Sequence, residues 1–298
     1  MRKWSTASLI AATSAAGLIV GLMLAGTPAS GQGPAGYRAP RSPYGDGKPD
    51  LSGIWQALNS ANWNLEDHTM GPPALWPMGA LAAIPPGQSV VEGGEIPYQP
   101  WGLAKRKEHW EKRMFADPYD REWGDPELKC YLPGIPRATY MPYPFQILQT
   151  PRYVLFSYEY ANSNRVARMD SKTEGPVPTW MGWSNGHWEG ETLVIEVADF
   201  IGQTWLDRAA NFTTDTLKVT ERYTRTGPDH LRYEATIEDP KLYTRPWKIS
   251  MPLYRHVEKN AQLLEFRCVE FSEETLYGKL TKDGQKPIKL PHEPGYKQ

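Results

Sequence analysis

Residues 217–238 read Leu-Lys-Val-Thr-Glu-Arg-Tyr-Thr-Arg-Thr-Gly-Pro-Asp-His-Leu-Arg-Tyr-Glu-Ala-Thr-Ile-Glu, and their period of two decides the fold class. Leu217, Val219, Glu221 and Tyr223 fall on one side of an extended chain, and Lys218, Thr220 and Arg222 on the other. The run Thr226-Gly227-Pro228-Asp229 is turn chemistry, after which His230–Glu238 resumes the alternation. Working outward, Tyr153–Tyr160 places Val154, Phe156, Tyr158 and Tyr160 on one face, and Thr192–Val197 turns Leu193, Ile195 and Val197 inward. Trp247–Leu253 and Leu263–Phe271 continue the pattern, and Asn185-Gly186 and Glu189-Gly190 read as further turns. Asp50-Leu51-Ser52-Gly53-Ile54-Trp55 supplies a short first strand. Short strands with tight turns predict a mainly β protein, an antiparallel meander of about eight or more strands. Such a meander closes as a barrel or pairs as a sandwich. The Gly53-Ile54-Trp55 step favours a lipocalin-like barrel. No repeat of fixed period argues for a propeller.

Four regions differ in texture. Residues 1–31 have the form of a signal peptide: Arg2 and Lys3, an apolar stretch over 7–25, then Pro28 and the small residues Ala29-Ser30-Gly31. Cleavage near Ala29–Gly31 predicts a periplasmic or extracellular protein with no membrane span left; an uncleaved anchor is the alternative reading. Residues 32–101 form a Pro/Gly-rich arm that carries the first strand near 51–56. Residues 102–143 hold one helix, Gly102–Phe115, with Leu103, Trp110 and Met114 near one face, and then a turn-rich connection. Residues 144–298 are the β domain, with 102–298 and strand 51–56 expected to fold as one unit. The 298-residue chain holds 28 Pro, about twice the average usage, which excludes a long-helix bundle. Its 33 Lys+Arg against 34 Asp+Glu give no footprint for a nucleic acid. Cys130 and Cys268, the two cysteines, are expected to pair in an oxidising compartment; two unrelated thiols are the alternative.

Candidate chemistry is sparse. Glu221 lies on the apolar face of its strand, where a carboxylate needs a partner or a raised pKa. It is either a buried structural acid or, with Asp207 or His187, a proton-transfer group of a hydrolase, lyase or isomerase. Gly182-Trp183-Ser184-Asn185-Gly186 matches the pattern of a nucleophile elbow, but strand rather than helix follows it, and Asn185-Gly186 reads as a hairpin. The six histidines show no metal-binding spacing, and Glu66-Asp67-His68 is either a fragment of a metal site or a solvated loop. No glycine-rich phosphate loop appears, which argues against a nucleotide cofactor; no cofactor is expected, and the histidine spacing gives no metal. Trp180, Trp183, Trp188, Trp205, Trp247, Tyr158 and Tyr160 either line a site for a small apolar or aromatic molecule or pack a core poor in Phe. A small-molecule binder is the first functional expectation, an enzyme on the same scaffold the second, and a protein-interaction module wrapped by the arm the third. Oligomeric state is left open.

The chain also resembles a family of exported bacterial proteins. The matching stretches are 49–55 (Pro-Asp-Leu-Ser-Gly-Ile-Trp), 130–137 (Cys-Tyr-Leu-Pro-Gly-Ile-Pro-Arg), 143–151, 178–182, 186–194 (Gly-His-Trp-Glu-Gly-Glu-Thr-Leu-Val), 204–207 (Thr-Trp-Leu-Asp), 220–222 (Thr-Glu-Arg), 239–240 and 243–247. The resemblance implies export and a β-rich body, and both cysteines fall where the family pattern carries Cys, which implies a disulfide. This chain departs from the pattern at Trp183, where His is usual, at Phe212-Thr213, where a Pro-His pair is usual, and at Gly175-Pro176, where a His-Pro step is common. A function that rests on those histidines in relatives would be altered here.

Overall fold

The computed structural model describes residues 36–71, 84–113 and 122–269. The expected signal peptide, Met114-Phe115 and the chain from Glu270 onward lie outside the described residues. Nine strands close into a barrel in sequence order: β1 (Gly53–Gln56), β2 (Phe145–Gln149), β3 (Tyr153–Tyr158), β4 (Asn164–Met169), β5 (Trp183–Glu189), β6 (Thr192–Ala198), β7 (Lys218–Gly227), β8 (His230–Glu238) and β9 (Trp247–Arg255). The mainly β barrel is thus present. One pair departs from a pure meander: β4 and β5 run parallel, with Ala167 opposite Ser184 and Met169 opposite Gly186, because residues 170–182 cross over before β5 begins. The other neighbours are antiparallel.

Two expected turns are found, between β5 and β6 after Glu189 and between β7 and β8 after Gly227. Asn185-Gly186 is not a hairpin; both residues lie inside β5. A Cβ on Gly186 would sit 2.7 Å from Met169 Sδ, so this glycine serves a close approach between the parallel strands. Tyr160 leaves the strand that precedes it and enters a 3-10 turn, Tyr160–Asn162. Residues 263–269 are not a strand either. In a closed barrel β9 already has β8 on one edge and β1 on the other, so no ladder remains for a tenth strand.

That seam is short. β1 reaches β9 only at Trp55–Arg255 and Gln56–Tyr254. The arm covers the rest of the edge: Val91 bridges Ile249, Glu92 N–H donates to Lys248 O (2.8 Å), and Ser250 N–H donates to Val90 O (3.0 Å). A stretch that reads as irregular therefore satisfies backbone groups of a strand.

The barrel interior is filled by side chains. Trp55, Phe145, Phe156, Tyr158, Tyr223 and Tyr233 are each no more than 2% exposed. Phe156 and Tyr223 ring centres lie 5.4 Å apart, and those of Tyr223 and Tyr233 5.0 Å, spacings of ordinary aromatic packing. The chain has two α-helices among its described residues, α1 (Pro100–Glu111) and the one-turn α2 (Arg137–Tyr140), and α2 lies against this interior, with Thr139 Oγ1 3.3 Å from the Tyr223 hydroxyl.

The long helix, α1 (Pro100–Glu111), has Pro at its first turn, where the missing N–H costs nothing. It docks by a different face from the expected one: Gly102 and His109 are buried, whereas Leu103 is exposed. A Cβ at Gly102 would sit 2.6 Å from Leu242 Cδ1, so the helix approaches the barrel through its smallest residue.

Cys130 and Cys268 form the disulfide, with a Cα separation of 5.6 Å across 138 positions of sequence. It fastens the segment after β9, which is also held by Asn162 Nδ2 donating to Phe266 O (2.8 Å) and Leu264 N–H donating to Glu159 (2.8 Å). Removing the bond from so long a loop (Cys130→Ala with Cys268→Ala) is expected to lower unfolding free energy by about 2–5 kcal/mol. Denaturant midpoints with and without reductant check this; a midpoint indifferent to reductant would refute it.

Candidate functional site

The three candidate acid–base residues stand in separate places. Glu221 points into the barrel and is fully buried. Arg165 Nη1 donates to its Oε2, while the Tyr223 and Tyr233 hydroxyls donate to Oε1 at 2.9 and 2.8 Å. Arg165 Nε in turn donates to the Tyr158 hydroxyl (3.2 Å). His187 stands on the opposite face of the sheet. Glu221 pairs with Ile195 and Ile195 with Gly186, so the next residue, His187, turns outward by alternation, where its Nε2 lies 3.2 Å from Glu189. Asp207 lies in the loop after β6 and accepts from the backbone N–H groups of Leu65, Ala209 and Asn211 and from Asn211 Nδ2, at 2.6–3.1 Å. Burial pushes its carboxyl above the usual range, opposed by Arg106 and by those donors. Ser184 is a buried residue within β5, with no helix following it.

Beside Asp207 lies a second buried ionic cluster that the sequence reading does not pick out. Arg137, from α2, donates to both carboxylate oxygens of Asp125 (2.7 and 2.8 Å), to Glu127 (2.6 Å) and to Asn62 Oδ1 (2.8 Å). Arg208 clasps both oxygens of Glu127 at 2.8 Å. Burial alone would raise the Glu127 pKa, but Arg208 and Arg137 outweigh it and hold the carboxyl at about 2. The cluster joins the arm (Asn62), the connection (Asp125, Glu127, Arg137) and the loop after β6 (Arg208). The only sequence signal is a density of charge in segments rich in Pro and Gly.

His109 is enclosed by aromatic rings: Trp205 stacks on it at 5.3 Å, and Phe212 and Trp123 meet it edge-on at 4.8 and 5.6 Å. Desolvation, helped by the charge of Lys105 and less by that of Lys112, lowers its pKa to about 4 against the weaker pull of Glu108 and Glu122. The folded protein thus holds this ring neutral while the unfolded chain takes up a proton near pH 6.5. Stability from this group is full above about pH 6.5 and falls as pH drops toward 4. The loss is about 2 kcal/mol once partial solvent screening is allowed for. His109→Phe is expected to flatten stability between pH 6.5 and 4, leaving the acid loss between about 4.5 and 2, where the unfolded chain protonates Glu127 and the folded protein does not. Urea midpoints measured across that range check this, and an unchanged slope would show that another group is titrating.

The seven aromatic candidates do not share one wall. Tyr158 lies inside the barrel on Arg165, and the Tyr160 hydroxyl donates to Glu127 O (2.8 Å). Trp205 packs on His109, and Trp247 meets Tyr243 edge-on at 5.4 Å. Trp180 stacks on Tyr131 at 4.9 Å. Trp183 is on the outer face of β5 under the Arg168 guanidinium (3.6 Å), and Trp188 is half-buried against the core.

A cavity of about 680 Å³ opens elsewhere, between α1 and the arm. Since Gly102 and His109 face the barrel, the neighbouring stripe of α1, with Leu103, Arg106, Lys107 and Trp110, faces this space. The facing wall is the arm from Asn64 to Gly71 with Ile84. Two antiparallel bridges fix that wall, His68 with Gly87 and Gly71 with Ile84. Arg106 ties the walls together: Nη1 donates to Glu66 (2.8 Å) and Nε to Ala209 O (3.4 Å). Trp110 is braced by Arg113, whose guanidinium lies 3.9 Å from its ring centre. His68 Nδ1 donates to Glu66 O (2.7 Å), and its Nε2 is buried with no hydrogen-bond partner among the described residues.

Among the described residues no group of three or more His, Cys, Asp or Glu is arranged to hold a metal ion, and no helix is long and apolar enough to cross a membrane. Glu66, Asp67 and His68 go separate ways: Glu66 to Arg106, Asp67 to Ser89 N–H (2.6 Å), and His68 to the Glu66 carbonyl. No protein-family model, curated protein or solved structure matches the chain.

Proposed function

We propose that this is an exported β-barrel protein that binds a small apolar or aromatic molecule, and that it does so in the groove beside α1 rather than inside the barrel. The observation that carries the reading is the groove itself. Its volume of about 680 Å³ lies within the usual range for small-molecule sites, and its lining of Leu103, Trp110, Ile84 and Pro100 interrupted by a few polar groups is typical of them. The barrel interior offers packed rings instead, and both oxygens of Glu221 already accept hydrogen bonds. Export is supported by the form of residues 1–31 and by the disulfide, a bond that persists in oxidising compartments. A test is the neutral fluorophore N-phenyl-1-naphthylamine, expected to brighten on binding. Ala104 is exposed and lines the groove, so Ala104→Trp is expected to fill it and weaken binding about tenfold or more while leaving thermal stability unchanged. Undiminished binding to the Trp variant would defeat the proposal.

A further inference from the structure

We infer that the groove's ligand carries a carboxylate at the Arg106 end of an apolar or aromatic body; this rests on the groove being the binding site. The reason lies in what a ligand would cover. Arg106 lines the cavity with its side chain 19% exposed, and two of its three nitrogens have partners, Nη1 on Glu66 and Nε on Ala209 O. Among the described residues Nη2 has no hydrogen-bond acceptor, so water serves it while the groove is open. Any molecule that fills the groove strips that water from a permanent charge. The charge itself stays paired with Glu66 and beside Asp207, but a purely apolar occupant leaves the Nη2 N–H groups without an acceptor, and an unmet buried donor costs more than the apolar contact at that end returns. An anionic oxygen restores the bond and adds charge assistance. Lys107, next along the helix, lines the same groove with its side chain 78% exposed, 3.9 Å from Glu111 and open to a second contact. Glu66 is already committed to Arg106 and to Ile96 N–H (3.1 Å). Leu103, Trp110 and Ile84 supply the apolar remainder.

The experiment compares 11-(dansylamino)undecanoic acid with its methyl ester, which have the same body with and without the charge. The acid is expected to bind about tenfold tighter than the ester, with only the acid's affinity falling as salt is raised. Arg106→Met combined with Glu66→Gln removes the cation together with the carboxylate it pairs with, while Asp207 keeps its donors from Leu65, Ala209 and Asn211, and should bring acid and ester to within about twofold. Lys107→Ala, at an exposed position, should weaken the acid alone by a few-fold. Equal binding of acid and ester to the unaltered protein, both lost in Ala104→Trp, would overturn the carboxylate while sparing the groove. Binding of both that ignores Ala104→Trp would remove the groove and this inference together.

Discussion

Arg137→Leu is expected to lower the unfolding free energy by about 3–5 kcal/mol, the cost of breaking a buried ion pair by removing one partner. The side chain is 1% exposed and donates to four residues from three parts of the chain: Asn62, the neighbours Asp125 and Glu127, and the Trp205 carbonyl. Without it Asp125 loses its bidentate cation and Asn62 Oδ1 loses its donor, while Glu127 keeps Arg208. Leucine offers no donor, and water has little access. Arg137→Lys should recover less than half of the loss, because a single ammonium cannot reproduce the planar fork on Asp125. Adding Asp125→Asn to Arg137→Leu should return part of the stability by neutralising the stranded carboxylate. Equilibrium denaturation of the variants reads all three numbers. A loss below about 1 kcal/mol for Arg137→Leu would place the cluster with solvated surface pairs.

The second large effect is inside the barrel. Arg165→Met is expected to cost a similar 3–5 kcal/mol, since it leaves the Glu221 carboxylate buried with only two tyrosine hydroxyls. Glu221→Gln alone preserves an acceptor for those hydroxyls but strands Arg165. The pair of changes together should be milder than the sum of the two by more than about 2 kcal/mol, because the second removes the charge that the first leaves unpaired. Additive losses in this double-mutant cycle would show that the two groups are not coupled. The same variants bear on function: ligand affinity in the groove should be untouched in any of them that folds.

Alternation in the sequence reveals the strands wherever the inward residues are apolar, as in β6 and β8, and it exposes Glu221 as an inward acid because Val219 and Tyr223 flank it. The partner is hidden for the complementary reason. In β4, Asn-Arg-Val-Ala-Arg-Met, the inward residues are Arg165 and Ala167 while Val166 is exposed, so the polarity pattern is inverted. Asn185-Gly186 carries a turn signal that the parallel pairing with β4 overrides. The groove is harder still. Leu103 and Trp110 look like the buried stripe of a helix, yet Gly102 makes the closer approach to the barrel, and the apolar stripe is left facing the arm. No local pattern in residues 64–71 records that they lie opposite a helix some 40 positions later; that pairing is tertiary.

The disulfide has a consequence in time. A chain made from its N-terminus presents all nine strands, which end at Arg255, before Cys268 appears. The bond therefore cannot guide strand pairing during synthesis and forms only on a chain able to close its barrel. With just two cysteines there is one intramolecular partner and no scrambled isomer to correct. Oxidation acts as a final latch, and maturation of this protein calls for an oxidant but not for a disulfide isomerase.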